Sequence, residues 1–173
     1  MVVKSVAFRP MSINPRGRSC PRLRAVPPIK AQAAPRMTHV ALHVKDLESS
    51  RRFYEEFCGI KVYHEHGRSD HKTLWLAEPG LENQFAYVMF EGSKVEPQVQ
   101  GDFSHLGFSV ESREAVDAIA EKAKEQEILA FGPKGMPYPV GYICMVKDPD
   151  GRLVEFSFGQ PIAGLSDGRL IKV

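Results

Sequence analysis

The chain has 173 residues, of which 43% are hydrophobic and 25% are charged. This is enough for one domain with its own core and too short for two ordinary domains. No stretch approaches the roughly 20 apolar residues of a membrane-spanning helix. The three cysteines, Cys20, Cys58 and Cys144, are far apart and form no CxxC pair, which argues against a disulfide framework or a structural zinc site and favours a reducing compartment.

Charge is distributed unevenly along the chain. Residues 1–36 contain eight Lys or Arg and no acid, whereas the remainder contains 15 basic and 21 acidic side chains, a net charge of −6. The overall charge of +2 therefore does not indicate a nucleic-acid partner. Residues 1–36 show no periodicity and are predicted to be disordered. They resemble an organellar transit peptide, which predicts that the protein is located in the chloroplast or another organelle. The alternatives are a disordered tail or a start codon assigned too early, and in either case the predicted location is the cytoplasm.

The first periodic segment is Thr38–Val44, a predicted strand. Its apolar residues share one face, and His39, Ala41 and His43 share the other. Asp46 is predicted to cap a helix over 47–57 that Gly59 ends. Three further strands are predicted, separated by turns at 67–70 and 78–83: 60–66, 73–77 and 85–90.

The pattern then starts again. His105–Val110 matches His39–Val44 position for position, 66 residues later. Ser112 is predicted to cap a second helix. Strands are predicted at 128–131, 141–147 and 152–158, the last two joined by the turn Asp148-Pro-Asp-Gly151. Such repetition predicts an α+β fold of paired βαβββ modules that form a concave mixed sheet. The predicted domain covers residues 37–160, with the first module at 37–92 and the second at 103–159, and a tail follows at 161–173.

Three side chains are predicted to share the concave surface. Each helix must cover the apolar face of its sheet, so His39 and His105 lie at matching places on the uncovered face. Glu155 alternates with Val154 and Phe156 in the last strand and faces the same way. Two imidazoles and a carboxylate can form a facial set that binds a divalent metal and leaves positions open to substrate.

Residues 38–159 resemble the vicinal oxygen chelate superfamily, which includes glyoxalase I, fosfomycin-resistance proteins, extradiol dioxygenases and metal-free bleomycin-resistance proteins. The resemblance is carried by Thr-His39-Val-Ala-Leu-His-Val, by Ser-His105-Leu-Gly-Phe-Ser-Val and by Asp148-Pro-Asp-Gly-Arg-Leu-Val-Glu155-Phe. It implies that His39, His105 and Glu155 are the ligands of one divalent ion per site (Ni, Zn, Co, Mn or Fe). It also implies a small-molecule substrate and a homodimer, whose sites lie either within one chain or between two chains, the second case joining His39 to the partner's His105 and Glu155.

Two departures from the family's pattern weaken the expectation of particular activities. The fourth protein ligand of glyoxalase I falls near Tyr87 or Val88, and neither is acidic. The additional His and Tyr of extradiol dioxygenases are absent, with Met145 and Val146 near the Tyr position. The resemblance therefore favours a glyoxalase I-like lyase or isomerase acting on adjacent oxygens, and it names no general base. An Fe(II)-dependent dioxygenase and a non-catalytic binding protein are the alternatives.

Further polar residues are weaker candidates. His43, Tyr87, Tyr138 and Tyr142 are candidates for substrate binding. The alternative for His43 is a polar residue that lines the cavity without chemistry, and packing alone explains Tyr138 and Tyr142 about as well. His64, His66 and His71 lie beside a predicted turn, so we expect solvated hairpin residues rather than a metal site. Arg152, next to the Asp148–Gly151 turn, is predicted to be a surface charge.

Overall fold

A computed structural model describes residues 35–68, 71–92 and 95–162. The predictions for residues 1–34, including the transit peptide, and for the tail from residue 163 lie outside the described residues. Ten helices and strands follow one another in the described ranges. They are β1 (His39–Val44), α1 (Leu47–Phe57), β2 (Lys61–Arg68), β3 (His71–Ala77), β4 (Ala86–Glu91), β5 (His105–Ser109), α2 (Arg113–Glu125), β6 (Leu129–Met136), β7 (Gly141–Lys147) and β8 (Leu153–Phe158).

The strands form two four-stranded sheets of the same topology. Their orders are β1-β4-β3-β2 and β5-β8-β7-β6. In each sheet the first strand pairs in parallel with the last, and the other pairings are antiparallel. The predicted architecture of paired βαβββ modules is therefore confirmed. We call β1–β4 with α1 the first module, and β5–β8 with α2 the second.

Both helices begin where their capping residues predict. The Asp46 carboxylate accepts a hydrogen bond from the backbone N–H of Ser49, and the Ser112 hydroxyl accepts one from that of Ala115. Gly59, with φ of +70°, lies just beyond the end of α1, in a conformation that glycine adopts without strain.

One hydrophobic core contains side chains from both modules. Its aromatic centre is a stack in which Phe108 lies between Tyr87 and Phe156, with ring centroids 5.5 and 5.9 Å apart. Each buried side chain of this size stabilises the fold by roughly 1.5–3 kcal/mol. The helix-facing sides of the two sheets are therefore joined across the module boundary.

Two strands differ in length from their predicted ranges. The segment predicted as a turn from Gly67 is partly strand, because β2 continues to Arg68 and Gly67 pairs with Lys72. The strand predicted at 128–131 extends to Met136 as β6, in which two register shifts interrupt the alternation that prediction relies on. In the described parts of the chain, no helix is long and apolar enough to cross a membrane.

Candidate metal centre

The second module brings two of the predicted ligands together. In the parallel pair of β5 and β8, His105 pairs with Leu153 and Gly107 pairs with Glu155. His105 Nε2 lies 3.6 Å from Glu155 Oε2. Gly107 presents no side chain beside the carboxylate, and a Cβ added there would meet nothing within 4 Å. No side chain of β5 therefore fills the space beside the Glu155 carboxylate at position 107.

Each of these side chains is oriented by a hydrogen bond at its other polar atom. His105 Nδ1 lies 2.7 Å from the carbonyl oxygen of Phe103, to which it donates in the tautomer that leaves Nε2 with a lone pair. Gln160 Nε2 donates to Glu155 Oε1 at 2.7 Å. The two atoms left free, Nε2 and Oε2, are the ones that face each other. Metal-ligating histidines in proteins are held in the same way.

The surroundings of Glu155 fit a cation. The residue is 5% exposed, and a carboxylate taken out of water is destabilised unless it is paired. A separation of 3.6 Å suits two atoms bound to one ion, because metal bonds of about 2.1 Å place such atoms roughly 3 to 4 Å apart. One imidazole nitrogen and one carboxylate oxygen also form a donor set that borderline divalent metals accept.

His39 lies in the first module, apart from this pair. Its Nδ1 is 3.0 Å from the hydroxyl oxygen of Thr38, which leaves Nε2 free, as in His105. Among the described residues, no three His, Cys, Asp or Glu side chains come together in one chain to hold a metal. The structure of one chain therefore joins His105 to Glu155 and does not join His39 to them.

The strand register identifies the place of a fourth ligand. In the first module Ala41 pairs with Val88, as Gly107 pairs with Glu155 in the second. Val88 is thus the counterpart of Glu155, which resolves the choice between Tyr87 and Val88. Because Val88 is apolar and 2% exposed, this position cannot supply a metal ligand.

His43 lies on the same sheet face as His39. Its ring packs against that of Phe90, with centroids 5.8 Å apart, and its Nδ1 lies over Gly92. A Cβ at Gly92 would come within 2.7 Å of that nitrogen, so a larger residue there would displace the His43 ring. His43 is held in place by packing, with one edge open to the concave surface.

The three candidate tyrosines lie elsewhere. Tyr87 faces the core and stacks on Phe108. Burial raises the pKa of Tyr87 to about 12, so its hydroxyl keeps its proton at neutral pH. Tyr142 alternates with the buried Cys144 and donates to Asp117 of α2 at 2.7 Å, on the helix side of the sheet. Tyr138 lies between β6 and β7 and is 67% exposed.

Contrary to the prediction, Arg152 is not a free surface charge. Its NH1 lies 3.2 Å from a carboxylate oxygen of Asp148 and 3.2 Å from one of Asp150, and both aspartates are 4% exposed. Its NH2 donates to the backbone carbonyl of His43. The two aspartates are neighbours of Arg152 in the chain, whereas the carbonyl of His43 is 109 residues away and reaches Arg152 only through the packing of the two modules, which the prediction did not foresee.

The same turn carries further bonds between the modules. Asp150 accepts a hydrogen bond from the backbone N–H of Lys45 at 3.1 Å, and Asp148 accepts one from the Tyr54 hydroxyl at 3.1 Å. Burial and the Asp148 carboxylate raise the pKa of Tyr54. The Asp148–Gly151 turn therefore fastens the second module to the C-terminal end of β1.

Sequence comparison assigns the family. The family model described as Glyoxalase/Bleomycin resistance protein/Dioxygenase superfamily matches residues 36–156. The chain therefore belongs to this superfamily, as the motif resemblance implied. It is similar to the uncharacterized protein PA2024 of Pseudomonas aeruginosa, with 44% identity over 129 residues, 75% of this chain and 92% of that protein. It also matches a protein of Vibrio parahaemolyticus named probable lactoylglutathione lyase, with 29% identity over 69% of this chain and 88% of that one.

A solved structure supports the fold. A mutant of the fosfomycin resistance protein FosX of Listeria monocytogenes, complexed with Mn(II) and 1S,2S-dihydroxypropylphosphonic acid, has a TM-score of 0.55 and 22% identity. The alignment covers 70% of this chain and 90% of that one. At this identity the likeness concerns the arrangement of the strands and helices.

Proposed function

We propose that the protein is a metal-dependent enzyme, a glyoxalase I-like lyase or isomerase acting on a small molecule with adjacent oxygens. The observation that carries this proposal is the His105–Glu155 pair, 3.6 Å apart, with each partner oriented by a separate hydrogen bond. The similarity to a probable lactoylglutathione lyase supports the reaction class. The Mn(II) in the FosX structure supports a metal in this fold.

We further propose that the active unit is a homodimer. His105 and Glu155 of one chain would hold the ion together with His39 of a second chain, because His39 does not join the pair within one chain. A cyclic dimer would contain two such sites, each with residues from both subunits. With Val88 at the fourth position, three protein ligands would leave the remaining positions to water and substrate.

The chain's residues would bind and orient the reacting groups. A divalent ion held there would supply Lewis-acid polarisation of a substrate carbonyl. The carbonyl of Phe103 and the Gln160 amide keep the lone pair of His105 Nε2 and the Glu155 Oε2 directed to the same point. Tyr87 cannot serve as the base, since its raised pKa keeps its proton bound and its ring lies in the core.

Metal analysis of the full chain, purified without added metal, tests the proposal. We expect about one divalent ion per chain, and a loss of affinity far beyond the ~10–100-fold effect of an outer contact in His39→Ala, His105→Ala or Glu155→Ala. His43→Ala is the matched control, because His43 shares the face of His39 and has no part in the ligand set. Full metal occupancy in His105→Ala or Glu155→Ala would refute the site.

The identity of the metal separates the alternatives. Nickel, zinc, cobalt or manganese supports the lyase or isomerase. Iron together with oxygen consumption would favour a dioxygenase, because two histidines and a carboxylate also suit Fe(II). No bound metal under any condition would leave a protein that binds a small molecule without turnover.

A further inference from the structure

The sheet face that carries His39 in the first module has an unusual composition. The register across the sheet aligns its outward residues in two rows. The rows are His64–Trp75–Val88–Ala41 and His66–Thr73–Phe90–His43. Three of the four row ends are thus histidines, and the middle positions are Trp75, Val88, Thr73 and Phe90.

Trp75 lies between two imidazoles. Its ring centroid is 6.3 Å from that of His39, with the planes tilted by 36°, and 6.4 Å from that of His64, which approaches edge-on at 77°. The rings of His64 and His66 are stacked, with centroids 6.5 Å apart. A flat molecule lying on Trp75 can therefore contact His39 at one end and His64 at the other.

Among the described residues of these four strands, no carboxylate points to this face. Glu91 alternates with Phe90 and faces the other way. Glu65 alternates with His64 and His66, and its carboxylate lies 2.8 Å from Lys72 Nζ on the opposite face. The described strands of this module thus present imidazole N–H donors and two aromatic rings, with no carboxylate of their own at the His64 end. Such a surface complements a ligand that is negatively charged and planar.

We propose that this surface, which we call the Trp75 platform (His39, His64, Trp75), binds small organic anions with a flat unsaturated body. The aromatic or conjugated part stacks on Trp75, and the oxyanion group, a carboxylate or a phosphonate, accepts a hydrogen bond from His64. This inference rests on the proposed function, in which His39 is a metal ligand. The adjacent oxygens of the substrate then lie at the His39 end, and its anionic group lies at the His64 end.

The chain contains a built-in reporter for this surface. Trp75 is its single tryptophan, so its fluorescence changes only when the surroundings of the platform change. The full chain, freed of metal with a chelator, is titrated with benzoate. Benzamide is the neutral analogue of the same shape, and acetate is the anion without the ring. We expect benzoate to bind about tenfold more tightly than either, as the loss of one charge-assisted hydrogen bond or one stacking contact implies.

Substitutions locate the binding. His64→Gln should weaken benzoate binding about tenfold and bring it close to that of benzamide. The matched control is Lys72→Gln, which removes a positive charge from the same hairpin but from the opposite face. Both side chains are exposed, so neither change should disturb folding. Equal affinity for the three probes, or equal weakening by the two substitutions, would overturn the proposal.

The two proposals fail independently in these experiments. Benzoate binding is measured without metal and does not require His105 or Glu155. Absence of metal from the purified protein would refute the metal site while the Trp75 platform could still bind benzoate. Conversely, a protein that contains metal as purified, but whose Trp75 fluorescence does not respond to benzoate once the metal is removed, would refute the platform and leave the metal site in place.

Discussion

The proposed division of the ligands between two chains can be tested by mixing two variants that each lack one ligand. In a dimer whose sites combine His39 of one chain with Glu155 of the other, His39→Ala damages both sites, and so does Glu155→Ala. A mixed dimer of the two variants differs from both. One of its sites lacks both side chains, whereas the other has an intact ligand set, with His39 and Glu155 supplied by different variants.

The statistics of subunit pairing give the amount of bound metal expected in the mixture. Random pairing of equal amounts makes about half of the dimers mixed, and each mixed dimer regains one of two sites, so about a quarter of the wild-type metal should return. A site formed within one chain predicts no recovery, because every chain then lacks one ligand. The recovered fraction therefore distinguishes the two arrangements without knowledge of the substrate.

The assay mixes metal-free variants, allows the subunits to exchange, adds the metal found in the wild type and measures bound metal after removing the excess. A mixture of His39→Ala with His105→Ala should recover as much as the first one. The pair His105→Ala with Glu155→Ala is the control and should recover nothing, since both residues belong to one half-site. Recovery in that control, or none in the other two mixtures, would refute the shared site.

Three further predictions concern residues that hold the site and the modules in place. Gln160→Ala removes the hydrogen bond to Glu155 Oε1 and should lower metal affinity ~10–100-fold in a chelator competition, with little change in the free energy of unfolding. Arg152→Met leaves the buried Asp148 and Asp150 without their guanidinium partner, and urea unfolding should show a loss of about 2 to 3 kcal/mol. The raised pKa of Tyr54 means that the folded state retains a proton that the unfolded chain releases near pH 10. Stability from this group is thus present below pH 10 and falls as the pH rises above it, and Tyr54→Phe should flatten this alkaline decline in unfolding experiments from pH 8 to 11.

The repeat between His39–Val44 and His105–Val110 made the fold predictable. Alternation assigned the outward faces of β1 and β5 correctly, since no register shift interrupts either strand. Capping by Asp46 was equally local, because its partner, Ser49, lies three residues away. Features that depend on neighbouring residues were thus accessible from the sequence.

The orientation of Tyr142 was also accessible. It is separated from Cys144 and Val146 by steps of two, so the alternation of β7 already directs it to the apolar helix side. The relation between His64 and Trp75 was not accessible. It depends on the pairing of β2 with β3 past a register shift near Tyr63, and periodicity along one strand does not specify which residues face each other across two.

Contacts between the modules support the proposal that His39 completes the metal site of a second chain. Arg152 binds the carbonyl of His43, and Asp150 binds the N–H of Lys45, so the end of β1 is fastened to the turn that precedes β8. Since His39 lies on that same β1, we infer that it cannot move to Glu155 without breaking these two bonds. In the proposed homodimer the third ligand would come from another chain, and by linkage a bound metal would stabilise the dimer as strongly as dimerisation increases metal affinity. Recovery of metal in the mixed dimers is the result that this inference requires.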